Sequence, residues 1–103
     1  MNINQAIRIV CQTGKVQLGS SSGIKTISLG KAKVVVIAAN SPTEIREKVE
    51  ARCTQTNTPI ITYPGSGYDL GSAVGKPHMV NLLTVEKEGD SKILNFVGGQ
   101  SNG

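Results

Sequence analysis

The residues best suited to chemistry in this chain form the glycine- and serine-rich segment Gly19-Ser20-Ser21-Ser22-Gly23, which shortly precedes Lys25. Their small side chains allow a bulky anionic group to approach the backbone closely. The segment also opens a predicted helix, whose unpaired N–H groups and positive dipole end favour phosphate. This pattern therefore predicts a site for a phosphate-bearing partner.

Basic residues dominate the first part of the chain. Residues 1–43 contain no Asp or Glu, whereas all seven acids lie between Glu44 and Asp90. One part of the surface is therefore expected to be positive, as in proteins that bind polyanions. The alternative interpretation is that these charges form a solvated face that binds no partner. The five basic residues of this part are Arg8, Lys15, Lys25, Lys31 and Lys33.

The length of 103 residues predicts a single domain with a modest hydrophobic core. The apolar run Val34–Ala39 is too short to span a bilayer, and no secretory signal is visible, so we expect a cytoplasmic protein without a membrane partner. Cys11 and Cys53 lack CxxC spacing and fall on apolar faces of predicted helices. They are expected to be buried reduced thiols rather than a disulfide or a reactive site.

Alternating helical and strand patterns predict how these residues are positioned. The stripe Ile3, Ala6, Ile7, Val10 and Cys11 marks a first helix, and a lack of polar alternation over residues 33–39 marks a central strand. Together the segments predict an α/β fold, a three-layer α/β/α sandwich with a small mixed sheet of about four strands. The domain is expected to cover residues 1–97, and residues 98–103 are expected to form a flexible C-terminal tail.

The boundaries of the later elements follow from local signals. Ser41-Pro42-Thr43-Glu44 predicts a capping box with proline at the first helical position, and Ser66-Gly67-Tyr68-Asp69 predicts another capped helix. Gly75 is expected to end that short helix. The predicted strands are residues 16–18, 33–39, 60–63 and 79–85, with the ambiguous segment Ile93–Val97 taken as a further short strand.

Sequence signals for catalysis fail when their spacing is examined. The segment from Gly71 to Pro77 resembles a P-loop, but it has three residues between its glycines instead of four, and proline replaces the magnesium-binding Ser or Thr. His78 is the only histidine, and neither cysteine lies near it in sequence. We therefore expect no catalytic residues, no metal site and no cofactor.

The few aromatic residues narrow the kind of nucleic-acid binding that is possible. Tyr63, Tyr68 and Phe96 are the whole set, and none lies in the basic first part of the chain. Folds that stack successive bases on an exposed aromatic sheet are therefore disfavoured. The remaining possibility is a protein that contacts a distorted RNA through a helix end, a loop, small polar side chains and a few lysines.

Two segments resemble a known family closely. They are KVVVIAANSP, at residues 33–42, and YDLGSAVGKP, at residues 68–77. With the sequence around them, nearly the whole chain to about Leu94 resembles the L-thirty-e family of the archaeal and eukaryotic large ribosomal subunit. That family belongs to a wider superfamily of kink-turn RNA binders that includes ribosomal protein L-seven-A-e. Since no eukaryotic-style N-terminal extension precedes the similar region, an archaeal source is expected.

The resemblance implies a structural, non-enzymatic protein that binds a kink-turn, a sharply bent internal loop, in ribosomal RNA. It implies two groups of residues that contact RNA. For the serines of the first group, the alternative role is capping of the helix; for the second group, it is an ordinary entry into a strand. Family members often carry longer side chains where this chain has Ser21 and Ser22. The implied RNA-binding residues are Gly19, Ser20, Ser21, Ser22 and Lys25 in the first group and Gly75, Lys76, Pro77, His78, Met79 and Val80 in the second.

The resemblance also sets expectations for partners and location. The protein is expected to be ribosome-associated in the cytoplasm, to contact neighbouring ribosomal proteins, and to be a monomer when free. The alternative function is a protein–protein interaction module of the same fold in a translation complex. A basic first part without acids favours RNA, whereas binding that survives high salt would favour protein.

Overall fold

Helices and strands alternate along the chain, as the sequence predicts. The computed structural model of the protein describes residues 3–89 and residue 93. The four helices in this part are α1 (Ile3–Thr13), α2 (Ser20–Ser28), α3 (Thr43–Thr56) and α4 (Gly67–Ala73). The four strands are β1 (Lys15–Leu18), β2 (Val34–Ala38), β3 (Ile60–Tyr63) and β4 (Leu82–Lys87).

The strands form one mixed sheet in the order β1-β4-β2-β3. Strands β2 and β3 are parallel, whereas β4 runs antiparallel to both of its neighbours, β1 and β2. Strands β1, β2 and β3 therefore all point the same way. Their carboxyl ends and the start of β4 share one edge of the molecule, which we call the upper edge; the opposite edge is the lower edge.

Helices cover both faces of the sheet and confirm the three-layer sandwich. One core cluster joins α1 and α4 to the sheet through residues such as Ile7, Leu70 and Val36. The other joins α2 and α3 to the opposite face through residues such as Ile27, Val49 and Val35. Strand β2 is buried along its whole length because both clusters pack against it.

The start of α3 differs from the predicted capping box. Pro42 is the N-cap residue, and no side chain caps the helix. The Ser41 hydroxyl instead donates a hydrogen bond of 2.7 Å to the carbonyl oxygen of Ala38, at the end of β2. The serine therefore closes the turn after the strand and is not available to the helix. The capping box predicted at Ser66 is correct, with reciprocal hydrogen bonds between Ser66 and Asp69.

The last strand begins later than its sequence pattern predicts. Residues 79–81 were expected in the strand, but β4 covers Leu82–Lys87. The Val80 N–H donates to the carbonyl oxygen of Gly67 at 2.9 Å, so the backbone here is attached to α4 instead of to the sheet. Glu86 and Lys87, which lie beyond the end of the predicted strand, belong to β4.

The remaining structural predictions concern thiols and the end of the chain. Both cysteines are free, as expected; Cys53 is buried and Cys11 is half-buried. The tail predicted over residues 98–103 and the strand predicted over Ile93–Val97 lie outside the described residues, except for Ile93, which is buried in the core. No helix in residues 3–89 is both long enough and apolar enough to cross a membrane.

Candidate nucleic-acid interface

The starts of three helices lie at the upper edge of the molecule. Gly19 precedes α2, Pro42 precedes α3 and Ser66 precedes α4, and each follows within a few residues a strand that ends at this edge. This arrangement results from topology, because three strands with the same direction each deliver the next helix at the same place. The positive ends of the helix dipoles therefore point towards one surface, which favours a negatively charged partner there.

The start of α2 presents unpaired backbone donors. The first hydrogen bond of the helix runs from the Gly23 N–H to the Gly19 carbonyl oxygen, at 3.1 Å. The N–H groups of Ser20, Ser21 and Ser22 consequently have no partner in the part of the chain that the structure describes. No side-chain hydrogen bond caps this helix, so the structure does not support the alternative that the serines serve as caps.

Gly19 has a backbone conformation that suits glycine alone. Its φ of 99° and ψ of 157° lie in a region that other residues adopt only under strain. An added Cβ at Gly19 would meet no protein atom within 4 Å. The strain therefore comes from the backbone itself, and the space beside Gly19 is open to a partner.

The two predicted groups of contacting residues meet at this edge. The Gly19 N–H donates to the carbonyl oxygen of Leu82 at 3.0 Å, and Leu18 pairs with Leu83 across the sheet. The segment from Lys76 to Asn81 leads into β4, so its end arrives next to the start of α2. Residues more than fifty positions apart in sequence thus form one continuous surface.

This second segment crosses α4 closely because α4 contains glycines at the crossing. A Cβ added to Gly71 would lie 2.1 Å from the carbonyl oxygen of His78, and one added to Gly67 would lie 2.5 Å from Cγ of Met79. The Met79 side chain therefore lies against the first turn of α4. It remains 48% exposed, and Pro77 and His78 beside it are also exposed.

Tyr68 is a further exposed side chain in the first turn of α4 and was not predicted as a site residue. Its side chain is 69% exposed, which is unusual for a large aromatic residue, and it follows Gly67, against which Met79 packs. The capping box at Ser66 gave a usable signal, since the second residue of a capped surface helix commonly faces solvent. We call Tyr68, Pro77, His78 and Met79 together the apolar ledge.

Three of the predicted site residues are placed differently from the rest. Gly75 lines a pocket with Cys11 and Gln12 of α1, away from the start of α2. Val80 is 2% exposed and packs in the core, so it anchors the segment instead of facing outward. Burial raises the pKa of the Cys11 thiol on α1, and the positive charge of Lys76 partly offsets this by lowering it. Lys76 therefore acts towards α1, away from the start of α2.

Arg46 is a cation at the upper edge that the sequence did not identify. One nitrogen of its guanidinium group, Nη2, donates to the carbonyl oxygen of Ala39 at 2.7 Å, just after the end of β2. This bond fixes the group beside the N-terminus of α3. The helical position of Arg46 could be predicted, but its bond to Ala39 depends on the turn that joins β2 to α3.

Not all of the basic residues in the first part of the chain form a positive surface. Lys15 pairs with Glu86 at 3.9 Å and Lys33 pairs with Glu88 at 3.3 Å, both at the lower edge. The expectation of one positive surface drawn from residues 1–43 is thus wrong for these two lysines. Lys25, by contrast, is exposed on α2 and has no carboxylate within 4.0 Å among residues 3–89 and 93.

Comparison with known proteins identifies relatives over most of the chain. Residues 1–95 match the model of the "Ribosomal protein L7Ae/L30e/S12e/Gadd45 family". The protein is 42% identical over 95 residues to large ribosomal subunit protein eL30 of Methanopyrus kandleri, covering 92% of this chain and 87% of the relative. It is 41% identical over 93 residues to the eL30 protein of the eukaryote Eremothecium gossypii, covering 90% and 89%.

A solved structure confirms the fold independently of close sequence similarity. A protein of unknown function from Bacillus halodurans superimposes with a TM-score of 0.75 at 15% sequence identity. The superposition covers 96% of this chain and 92% of that one. At this identity the similarity establishes the shared fold alone.

Proposed function

Because the chain belongs to the ribosomal protein L7Ae/L30e/S12e/Gadd45 family, we propose that it is a structural component of the large ribosomal subunit that binds a kink-turn of ribosomal RNA. Its relatives named above are proteins of the large ribosomal subunit. The role is structural and not enzymatic, and it places the protein with ribosomes in the cytoplasm. The RNA contact is the finer part of the proposal and rests on the upper edge.

The observation that carries the RNA contact is the meeting of two different chemistries at one edge. The unpaired N–H groups of Ser20, Ser21 and Ser22 suit phosphate oxygens, and the apolar ledge suits the faces of unstacked bases. A regular RNA duplex exposes phosphates but keeps its bases stacked. A sharply bent internal loop exposes both, so this edge fits a kink-turn better than a continuous helix.

Each part of the edge has a separate task in this proposal. The open space beside Gly19 allows the RNA backbone to come close to the start of α2. The serine hydroxyls add short-range hydrogen bonds, and Lys25 adds an attractive charge one turn further along α2. Met79 and Tyr68 cover an exposed base, which supplies contact that does not depend on sequence.

The same exposed ledge is the observation that favours the alternative, a protein-binding module. Large exposed apolar side chains mark protein contacts as well as base contacts. The two functions differ in their response to salt, because phosphate binding releases counterions and apolar protein contact does not. Binding that is steep in salt supports RNA, and a complex that survives high salt supports protein.

Sedimentation tests the ribosomal role directly. Cell extract is separated on a gradient, and the protein is detected with an antibody or a tag. We expect it to travel with the large subunit and to remain there after the subunits are dissociated. A protein found only in the free pool would contradict the ribosomal assignment.

The RNA contact is tested by replacing Met79 with Asp and titrating a labelled kink-turn RNA. The substitution removes an apolar contact and adds an anion beside phosphates. We expect binding to weaken by about tenfold or more, since burying a methionine side chain contributes roughly 1.5–3 kcal/mol. The affinity of wild type and variant is measured at the same salt concentration.

Leu29→Asp is the matched control for this experiment. Leu29 is also an exposed large apolar residue, 60% accessible, but it follows the carboxyl end of α2, away from the upper edge. This variant should bind the RNA like the wild-type protein. Equal losses in the two variants would show that the interface lies elsewhere.

A further inference from the structure

A basic cleft lies between α2 and α3, on the face of the sheet opposite to α1 and α4. It has a volume of about 430 Å³ and its lining combines small, aliphatic and cationic side chains. Ser21 lies in the first turn of α2, so the cleft begins at the upper edge and continues away from it along the two helices. The lining residues are Ser21, Ile24, Lys48, Ala51 and Arg52.

The two cations of this cleft are neighbours, and neither forms an ion pair with a described residue. Lys48 and Arg52 are four residues apart on α3, so they lie on one side of the helix about 6 Å apart along its axis. Like charges at this spacing disfavour the helix. No carboxylate lies within 4.0 Å of either side chain in residues 3–89 and 93, although Glu44 is only one turn before Lys48.

Its lining indicates what the cleft can hold. No aromatic residue lines the cleft, so it offers no platform for stacked bases. Ser21 and Ala51 are small and leave room between the two helices, while the two cations flank that space. Such a cleft suits an anionic chain that passes through it, and it is continuous at Ser21 with the surface that faces RNA in the proposed function.

We propose that this cleft holds the phosphate backbone of the RNA stem that continues beyond the kink-turn. The inference rests on the proposed function, since the kink-turn places the RNA at the start of α2. Lys48 and Arg52 then neutralise two phosphates of the stem, and Ser21 marks the point where the strand passes from the upper edge into the cleft. The cleft therefore adds affinity without adding sequence preference, because phosphates carry no sequence information.

The test compares two RNAs that share one kink-turn. The short RNA has stems trimmed to the minimum that keeps the loop folded, and the long RNA extends one stem by a helical turn, with both stems tested in turn. Wild type and the double variant Lys48→Gln/Arg52→Gln are titrated with each RNA over a range of salt. Circular dichroism confirms that the variant retains its helices.

We expect the variant to lose affinity only for one of the long RNAs. With about 0.7–0.9 units of log–log salt slope per phosphate, two lost contacts lower the slope by about 1.6 units. Between about 50 and 200 mM salt, wild type should therefore lose roughly ninefold more affinity for this RNA than the variant does. On the short RNA the two proteins should give the same slope.

The matched control is Lys31→Gln/Lys87→Gln, which removes two exposed charges that are not in the cleft. Equal slopes for wild type and Lys48→Gln/Arg52→Gln on every RNA would overturn the cleft proposal. So would an equal fall in the control, which would show an effect of net charge, or an equal loss on the short RNA. If wild type fails to bind even the short RNA, the proposed function itself fails.

Discussion

The residues at the start of α2 differ in what each contributes to the proposed RNA contact. The backbone at Gly19 excludes other residues by conformation, whereas the serines beside it are replaceable in the fold because no side-chain bond of theirs caps α2. Lys25 lies one turn beyond Ser21 on the same side of α2. Its contribution can therefore be measured without disturbing the helix start.

Replacing Lys25 with Gln should weaken binding to the short kink-turn RNA and flatten its salt dependence. Loss of one phosphate contact lowers the log–log slope by about 0.7–0.9 units and leaves the preference among RNAs unchanged. Lys31→Gln, which removes another exposed charge after the end of α2, should leave the slope unchanged. An unaltered slope in the Lys25 variant would remove this residue from the phosphate surface.

Sequence reasoning located the glycine–serine segment because helix starts have local signals. It did not indicate Tyr68 and Arg46, whose proposed roles depend on what the fold places beside them. Tyr68 becomes part of the ledge only because Met79 packs across Gly67, and Arg46 is fixed by a carbonyl group at the end of β2. It also included Val80, whose burial depends on the same crossing over α4.

At the scale of elements, α2 packs closely against strand β4 of the sheet at Gly23. A Cβ added there would lie 2.5 Å from Oγ1 of Thr84 and 2.6 Å from Cδ2 of Leu82. The Thr84 hydroxyl oxygen is buried beneath the helix and has no hydrogen-bond partner among the described residues. The position of the proposed phosphate site therefore depends on a glycine at which β4 atoms leave no room for a side chain.

Gly23→Ala should destabilise the protein, although alanine is the better helix former by about 1 kcal/mol. Overpacking against β4 is expected to outweigh that gain and to lower the free energy of unfolding by about 1–3 kcal/mol. Denaturant unfolding measures the change. Ser28→Ala, an exposed change on the same helix, should be neutral or slightly stabilising. A more stable Gly23→Ala protein would show that α2 can move away from the sheet at little cost.

Local patterns predicted the existence and type of every described element. They gave the wrong helix cap or strand start where another segment takes the hydrogen bond. Ser41 forms a bond with the end of β2 and leaves α3 without its predicted cap. The strand-like residues 79–81 are drawn to α4 by the bond between Val80 and Gly67. The first difference comes from a hydrogen bond within the turn after β2, and the second from a hydrogen bond between two separate segments. Hydrophobic periodicity describes neither kind of contact.

For the whole molecule, the sequence predicted the α/β class and the layers but not the order of strands. Strand β4 is the last of the described strands in sequence, and it lies between β1 and β2. That order decides which loops share an edge, so it also decides where the ion pairs lie. Lys15 and Lys33 could be assigned to the lower edge only after their pairing with Glu86 and Glu88 was known.

The buried thiol of Cys53 should make the stability of the whole domain sensitive to alkali. Burial raises the pKa of this thiol from 9.0 to about 11, and the charge of Glu50 adds to the rise. The unfolded chain therefore releases this proton before the folded protein does. The free energy of unfolding is therefore unaffected by ionisation of this thiol below pH 9 and decreases as the pH rises towards 11. The decrease amounts to about 2 kcal/mol near pH ~10.5.

Cys53→Ala provides the comparison, because it keeps every other titrating group. The variant should be less stable near neutral pH owing to the cavity it leaves, but its free energy of unfolding should fall less steeply between pH 9 and 11. Urea unfolding at several pH values gives both curves. Parallel curves would show that Cys53 does not ionise on unfolding in this range.

The central position of β4 also has a consequence for synthesis. Until Leu82 and its neighbours are made, β1 and β2 have no strand between them, and the Gly19 N–H lacks the carbonyl group that holds it. Pairing between residues this far apart in sequence must wait for the later partner. A nascent chain that has not reached β4 thus cannot display the finished upper edge, so we expect incorporation into ribonucleoprotein to follow completion of the polypeptide.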